Sequence, residues 1–165
     1  MKDTSTLTGN GIRTGAQYIS GLQDDREIWT MGKRIKDVTV EPGMSRGVSS
    51  LAGFLDKQHD KKYQDKVTYV DEDGIRCPLS FKTPKSKQDI LDRGKAYYEW
   101  ATWSHGMFGR TPDYKNASLM SFSAARSFLD KGTVGSADFS TNMLNFYNYA
   151  RTNDQILTHT LINPS

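Results

Sequence analysis

Ser86 stands immediately before the most sharply bounded helical signal in this chain. Ile90, Leu91, Gly94, Tyr97, Tyr98, Ala101 and Trp103 recur behind it at helical spacing, and Asp89 falls near the positive end of the helix that Ser86 would cap. The pattern predicts a helix over 87–104 with those seven side chains as its buried stripe. The other signals are cut shorter. Ile12, Ala16, Ile19 and Leu22 mark one face of a small helix that Gly15 and Gly21 weaken, so it must be tied down by packing. Residues 27–35 read as a hairpin turning at Gly32, and Pro42-Gly43 then breaks the chain. Val48, Leu51, Ala52 and Leu55 predict a helix from Met44 to about His59, with 56–62 as its solvated end. A second hairpin runs from 67–70 through Asp71-Glu72-Asp73-Gly74 into 75–77. Two further helices are expected near 117–129 and 139–151, linked by 132–136. The expected class is a mainly α domain with two small β-hairpins.

Composition decides what such a domain can be. Among 165 residues, 36% are apolar, and 3 Trp, 8 Tyr and 7 Phe add large buried areas, which excludes a wholly disordered chain. A net charge of +3 is too small to point to nucleic acid or a membrane surface. No apolar run reaches the roughly 20 residues of a membrane span, and the start Met1-Lys2-Asp3-Thr4 lacks the apolar core of a signal peptide. The single cysteine, Cys77, can form no internal disulfide and no cysteine-rich metal site. A cytoplasmic protein is expected. Residues 1–10 read as a flexible start, 11–153 as the helical domain, and 154–165 as an apolar, β-branched strand with no later strand to pair with. That ending is expected of a chain truncated as a sheet begins.

Two places can carry chemistry. In the segment 106–114, glycines bring backbone close to whatever they face, and Pro112 stiffens the loop and disfavours helix at Thr111. Arg110 and Tyr114 can then converge on one site, the guanidinium holding a carboxylate or phenolate and the phenol adding a directional hydrogen bond. The structural alternative is a plain interhelical connection with Arg110 paired to Asp113. His159, alone in the apolar terminal segment between Thr158 and Thr160, is either a proton-exchanging group or a satisfied core histidine. His59 and His105 read as structural or exposed, with His105 a weaker second candidate. One cysteine and three scattered histidines give no metal-ligand spacing, and no phosphate-binding loop or serine nucleophile motif is present. Tyr97, Tyr98, Trp100 and Trp103 suit core packing better than stacking on an aromatic ligand.

Several pieces in order carry a resemblance. These are Arg13-Thr14-Gly15 with Tyr18-Ile19, Arg26-Glu27-Ile28-Trp29, Tyr98-Glu99-Trp100-Ala101, Gly109-Arg110-Thr111-Pro112-Asp113-Tyr114 and Thr158-His159-Thr160-Leu161-Ile162-Asn163-Pro164. Together they resemble the N-terminal part of the oxygenase component of 4-hydroxyphenylacetate 3-monooxygenases, two-component flavin-dependent aromatic hydroxylases. The resemblance implies an acyl-CoA dehydrogenase-like fold: an N-terminal helical domain, a central β-barrel and a C-terminal helical bundle. This chain would be the first domain, ending at the start of the barrel.

The resemblance further implies that Arg110 and Tyr114 lie beside the substrate phenol and that His159 contacts both phenol and flavin. Arg110, His159 and Tyr114 would be the catalytic groups. Thr111, Pro112 and Asp113 would frame the substrate, while Pro164 and Ser165 would touch at most the first edge of the flavin. FAD would arrive as FADH2 from a separate flavin reductase. A flavin hydroperoxide formed with O2 would hydroxylate the small aromatic substrate ortho to its hydroxyl, and the full-length protein would be a homotetramer or homodimer. The related 4-hydroxybutyryl-CoA dehydratases need cysteine ligands for an iron–sulfur cluster, and none lies between Cys77 and Ser165. The alternative from another class is an inactive helical fragment serving only as an interaction module or a decayed gene product.

Overall fold

In the computed structural model, residues 9–106, 112–131 and 138–158 are described. The chain forms two units, Arg13–Gln64 and the remainder. In the first, Thr14 closes a capping box on α1 (Gly15–Ser20): its hydroxyl accepts from the Gln17 N–H, and the Gln17 carboxamide accepts from the Thr14 N–H. Gly15 was expected to weaken this helix, yet it is what seats it. A Cβ there would stand 2.5 Å from the Ala52 carbonyl oxygen, and the Gly15 N–H donates to Asp56 at 2.8 Å. Ala52 and Asp56 belong to α2 (Ser45–Lys57), which buries Val48, Ala52, Phe54 and Leu55. Strands β1 (Ile28–Thr30) and β2 (Lys33–Ile35) pair antiparallel in the register Ile28↔Ile35, turning through Met31 and Gly32. Ile35, Val38 and Val48 form the core, surrounded by Tyr18, Ile19, Leu22, Ile28 and Met44. The expected face of α1 is corrected in part, since Ala16 is exposed and Ile12 lies outside this unit.

The second unit begins within α3 (Gln64–Val67), so Val67 is helical and the strand starts one residue later than its sequence suggested. β3 (Thr68–Val70) pairs antiparallel with β4 (Arg76–Pro78), and Asp71 closes the turn by accepting from the N–H groups of Asp73 and Ile75. A buried one-turn 3-10 helix, Leu79–Phe81, follows. Then come α4 (Lys87–Trp103), capped by Ser86, α5 (Pro112–Ala124), a 3-10 stretch Arg126–Lys131, and α6 (Phe139–Thr152), capped by Asp138. Phe81, Leu119, Met120, Tyr147 and Ala150 make the larger core, with Met143, Leu144 and Leu157 packed on it. Val67, Leu79 and Ala96 make a smaller one.

Three expectations are corrected here. The buried residues of α4 are Ala96 and Trp100, whereas Ile90 is 63%, Leu91 49% and Tyr98 73% exposed, so the expected stripe faces outward in large part, with Tyr97 and Trp103 half-buried. Periodicity detects such a face without saying which way it points. Next, α5 starts at Pro112, five residues ahead of the expected 117, because proline suits the first helical turn, where its missing N–H costs nothing. Asp113 and Tyr114 are therefore helical. Finally, residue 9 is not frayed: the Gly9 N–H donates to the Thr152 hydroxyl and the Gly11 N–H to the Thr152 carbonyl. Gly11 has φ 92°, and a Cβ there would lie 2.3 Å from the Arg76 carbonyl oxygen, a position only glycine can hold. Residues 1–8, the linker 132–137 and the terminal segment 159–165 lie outside the described residues.

Candidate functional site

Helix α5 carries the described part of the site that the sequence singled out. Its inner face (Asn116, Leu119, Met120, Ser123) is buried. Leu119 and Met120 pack in the cluster with Phe81, Tyr147 and Ala150. Asn116 is 1% exposed and its Nδ2 donates to the Ser80 hydroxyl at 3.0 Å, tying α5 to the 79–81 turn. The same turn is held from α6, where the Tyr147 hydroxyl donates to the Phe81 carbonyl at 2.6 Å.

The outer face presents Tyr114, 54% exposed, together with Ser118, Ser121 and Phe122. Both serine hydroxyls fold back onto the helix, Ser118 to the Tyr114 carbonyl and Ser121 to that of Ala117. They therefore leave a weakly polar surface beside the phenol ring of Tyr114, over which the Lys115 ammonium lies at 4.7 Å.

Of the other sequence-predicted residues, Pro112 and Asp113 are the first two of α5, while Arg110, Thr111, His159, Pro164 and Ser165 lie outside the described residues. Leu157, two residues before His159, packs against the cluster that holds Leu119 and Met120. His105 ends the α4 region with φ 52° and is exposed. His59 is exposed in the other unit, its Nε2 3.1 Å from the Arg13 carbonyl. Trp100 and Trp103 meet edge to face at 5.1 Å, and Arg93 donates to the Tyr97 hydroxyl. That agrees with a packing role for these three, whereas Tyr98 is exposed.

Asn116 was missed, although a carboxamide at helical spacing with Leu119, Met120 and Ser123 is itself a signal.

Two open clefts occur among the described residues of this unit, and neither is lined by Tyr114. One, about 480 Å³, lies over Tyr69, Asp71 and Arg151. Most of its charges are paired with one another: Lys82 with Asp89 at 2.5 Å, Lys85 with Glu72 at 3.2 Å, and Arg151 with Asp71. The other, about 850 Å³, runs along the exposed stripe of α4. Burial pushes the Cys77 thiol up to about 12, and the nearby Arg151 lowers it less than burial raises it. No three His, Cys, Asp or Glu side chains converge as a metal site among the described residues.

The family profile described as "4-hydroxyphenylacetate 3-hydroxylase N terminal" matches residues 14–165. The chain belongs to this family. Several of its relatives are oxygenase components by name. The chain is 39% identical over 153 residues to the 4-hydroxyphenylacetate 3-monooxygenase oxygenase component of Thermus thermophilus, covering 92% of this chain and 30% of that protein. A solved structure described as the oxygenase component HpaB complexed with FAD and 4-hydroxyphenylacetate superposes with a TM-score of 0.79 at 36% identity, over 92% of this chain and 31% of that one. An archaeal 4-hydroxybutyryl-CoA dehydratase from N. maritimus superposes at 0.71 with 16% identity, over 88% of this chain and 28% of that one, and shares the fold alone. The fold is therefore the acyl-CoA dehydrogenase-like N-terminal helical domain with its two small hairpins, and the chain spans about 30% of the length of the relatives it matches.

Proposed function

We propose that this chain is the N-terminal part of a reduced-flavin-dependent monooxygenase acting on a phenolic substrate, and that it supplies the wall of the site against which the phenol lies. The observation that carries this reading is the placement of Tyr114 on the open face of α5, on the helix whose core neighbours include Leu157 of the histidine-bearing terminal segment. Arg110 precedes Tyr114 by four residues and His159 follows Leu157 by two.

The roles follow from the residue types. Arg110, permanently charged, stabilises a phenolate and so favours the electron-rich form of the ring. His159, the side-chain type best suited to proton exchange, takes or returns the phenol proton. Tyr114 orients the ring by its own ring face and hydroxyl. By the family resemblance, Thr111, Pro112 and Asp113 would frame the approach and Ser165 would touch the first edge of the flavin.

FAD needs a long, enclosed slot, and both clefts here are open. Reduced flavin, delivered by a separate reductase, supplies with O2 the oxygen that enters the ring ortho to the hydroxyl. The enclosing surfaces and any oligomer contacts belong to the length that the relatives have and this chain does not span.

The test is a titration of the chain with 4-hydroxyphenylacetate, read by NMR on ring-labelled tyrosines. One wall should bind weakly, in the millimolar range of about −4 kcal/mol. The Tyr114 signals should move, and Arg110→Met or His159→Ala should abolish the movement. Signals that move at Tyr69 and Tyr147 instead, or not at all, would overturn the reading.

A further inference from the structure

Asn116 is an odd residue for its position. It is 1% exposed, shares the buried face of α5 with Leu119 and Met120, and leaves its Oδ1 without a hydrogen-bond partner. A leucine there would bury apolar surface without stranding an acceptor. What the carboxamide adds is direction, because its Nδ2 reaches the Ser80 hydroxyl thirty-six positions away in sequence, at 3.0 Å. Apolar contacts hold a helix down but tolerate rotation about its axis, whereas a buried hydrogen bond fixes it.

Fixing it matters two residues earlier. A phenol oxygen stands roughly 9 Å from a helix axis, so a rotation of about 20° would move it by about 3 Å. That is several times the roughly 0.5 Å tolerance of a binding constellation. The acceptor is itself immobilised, since Ser80 sits in the Leu79–Phe81 turn, buried along its whole length and held on its far side by the Tyr147 hydroxyl on the Phe81 carbonyl.

We infer that Asn116 is a positioning residue: through its bond to Ser80 it sets the rotation of α5 and so the place at which Tyr114 meets the phenol. This rests on the reading of Tyr114 given above. It assigns the buried side of the helix a part in recognition without contact to the substrate.

The experiment compares the whole chain with Asn116→Leu, Ser80→Ala and the double variant N116L/S80A, each titrated with 4-hydroxyphenylacetate while the ring-labelled Tyr114 is observed. The double variant removes both partners together, so its thermal midpoint should stay at the wild-type value. Its dissociation constant should nevertheless rise at least tenfold, and the two single variants should do the same. Ser80→Ala, the smallest change, keeps the test alive if Asn116→Leu fails to fold. Affinity unchanged in a folded Ser80→Ala and in the double variant would overturn the inference and leave Asn116 a packing residue. Failure of the wild-type Tyr114 signals to respond would overturn the underlying reading first, and this inference with it.

Discussion

Replacing Asp71 by Asn tests how the second unit is held together. Arg151 of α6 and Asp71 at the β3–β4 turn form an ion pair whose side chains are only 12% and 8% exposed. Asparagine keeps an oxygen for the Asp73 and Ile75 N–H groups and so preserves the turn. It removes the charge and turns an N–H₂ toward the guanidinium. Breaking a buried pair by removing one partner costs about 3–5 kcal/mol. Arg151 retains the Tyr147 ring at 5.8 Å and a hydrogen bond with Tyr69, which puts the expected loss at the lower end, about 3 kcal/mol.

Urea unfolding in a Trp29→Phe background, in which Trp100 and Trp103 report, would show the midpoint falling by about 1.5 M for a slope near 2 kcal/mol/M. Acid supplies the internal control. Burial alone would raise the Asp71 carboxyl, but hydrogen bonds from Arg151 and Ile75 and the Arg151 charge outweigh it and hold it below the ordinary carboxylate range. A depressed carboxyl contributes stability above its unfolded pKa of about 3.9 and loses it as the pH falls through the lower folded value. The gap between wild type and D71N should therefore close below about pH 4. A loss under about 1 kcal/mol at pH 7, or a gap that does not depend on pH, would refute the argument that this pair is shielded from water.

Three further outcomes are expected. Gly15→Ala should destabilise the first unit by about 1–3 kcal/mol, since its Cβ would meet the Ala52 carbonyl at 2.5 Å; a neutral result in thermal unfolding would contradict that seat. Gly94→Ala should do the opposite and stabilise this chain by about 0.5–1 kcal/mol, because nothing described lies within 4 Å of the added methyl; a lower thermal midpoint would show a hidden contact. Cys77, fully buried with its thiol pushed up to about 12, should ignore a thiol-specific disulfide reagent at pH 8 until the chain is unfolded; prompt stoichiometric labelling of the native chain would contradict its burial.

Local chemistry was the most readable part of this sequence. The turn at Gly32, the Asp71–Gly74 turn and the Ser86 cap each depend on a few adjacent residues, and each formed where expected. The orientation of α4 was not readable. Its two faces are both rich in large apolar groups, and only long-range packing of Ala96 against Val67 and Leu79 decides that Trp100, rather than Tyr98, goes inward. Pro112 was read as stiffening a loop when it starts a helix, because a proline serves both roles and neighbouring residues do not distinguish them. As for the site, the residues 106–114 suggested only an arginine and a tyrosine able to meet. Their link to a phenol came from resemblance, and the Asn116–Ser80 bond, bridging distant parts of the chain, leaves no local trace.

One residue organises the comings and goings of the backbone. The Ile12 N–H donates to the Arg76 carbonyl at 2.9 Å, and the Arg76 guanidinium binds Asp65 at 3.0 Å, so the chain departs for Arg13–Gln64 and returns from it at a single gatepost. Closing a loop of that length costs roughly 3–4 kcal/mol, and doubling its length would add only about 0.6 kcal/mol. A flexible bridge between the same two ends would therefore depend little on its length, and Arg76, holding both Ile12 and Asp65, marks where those ends lie.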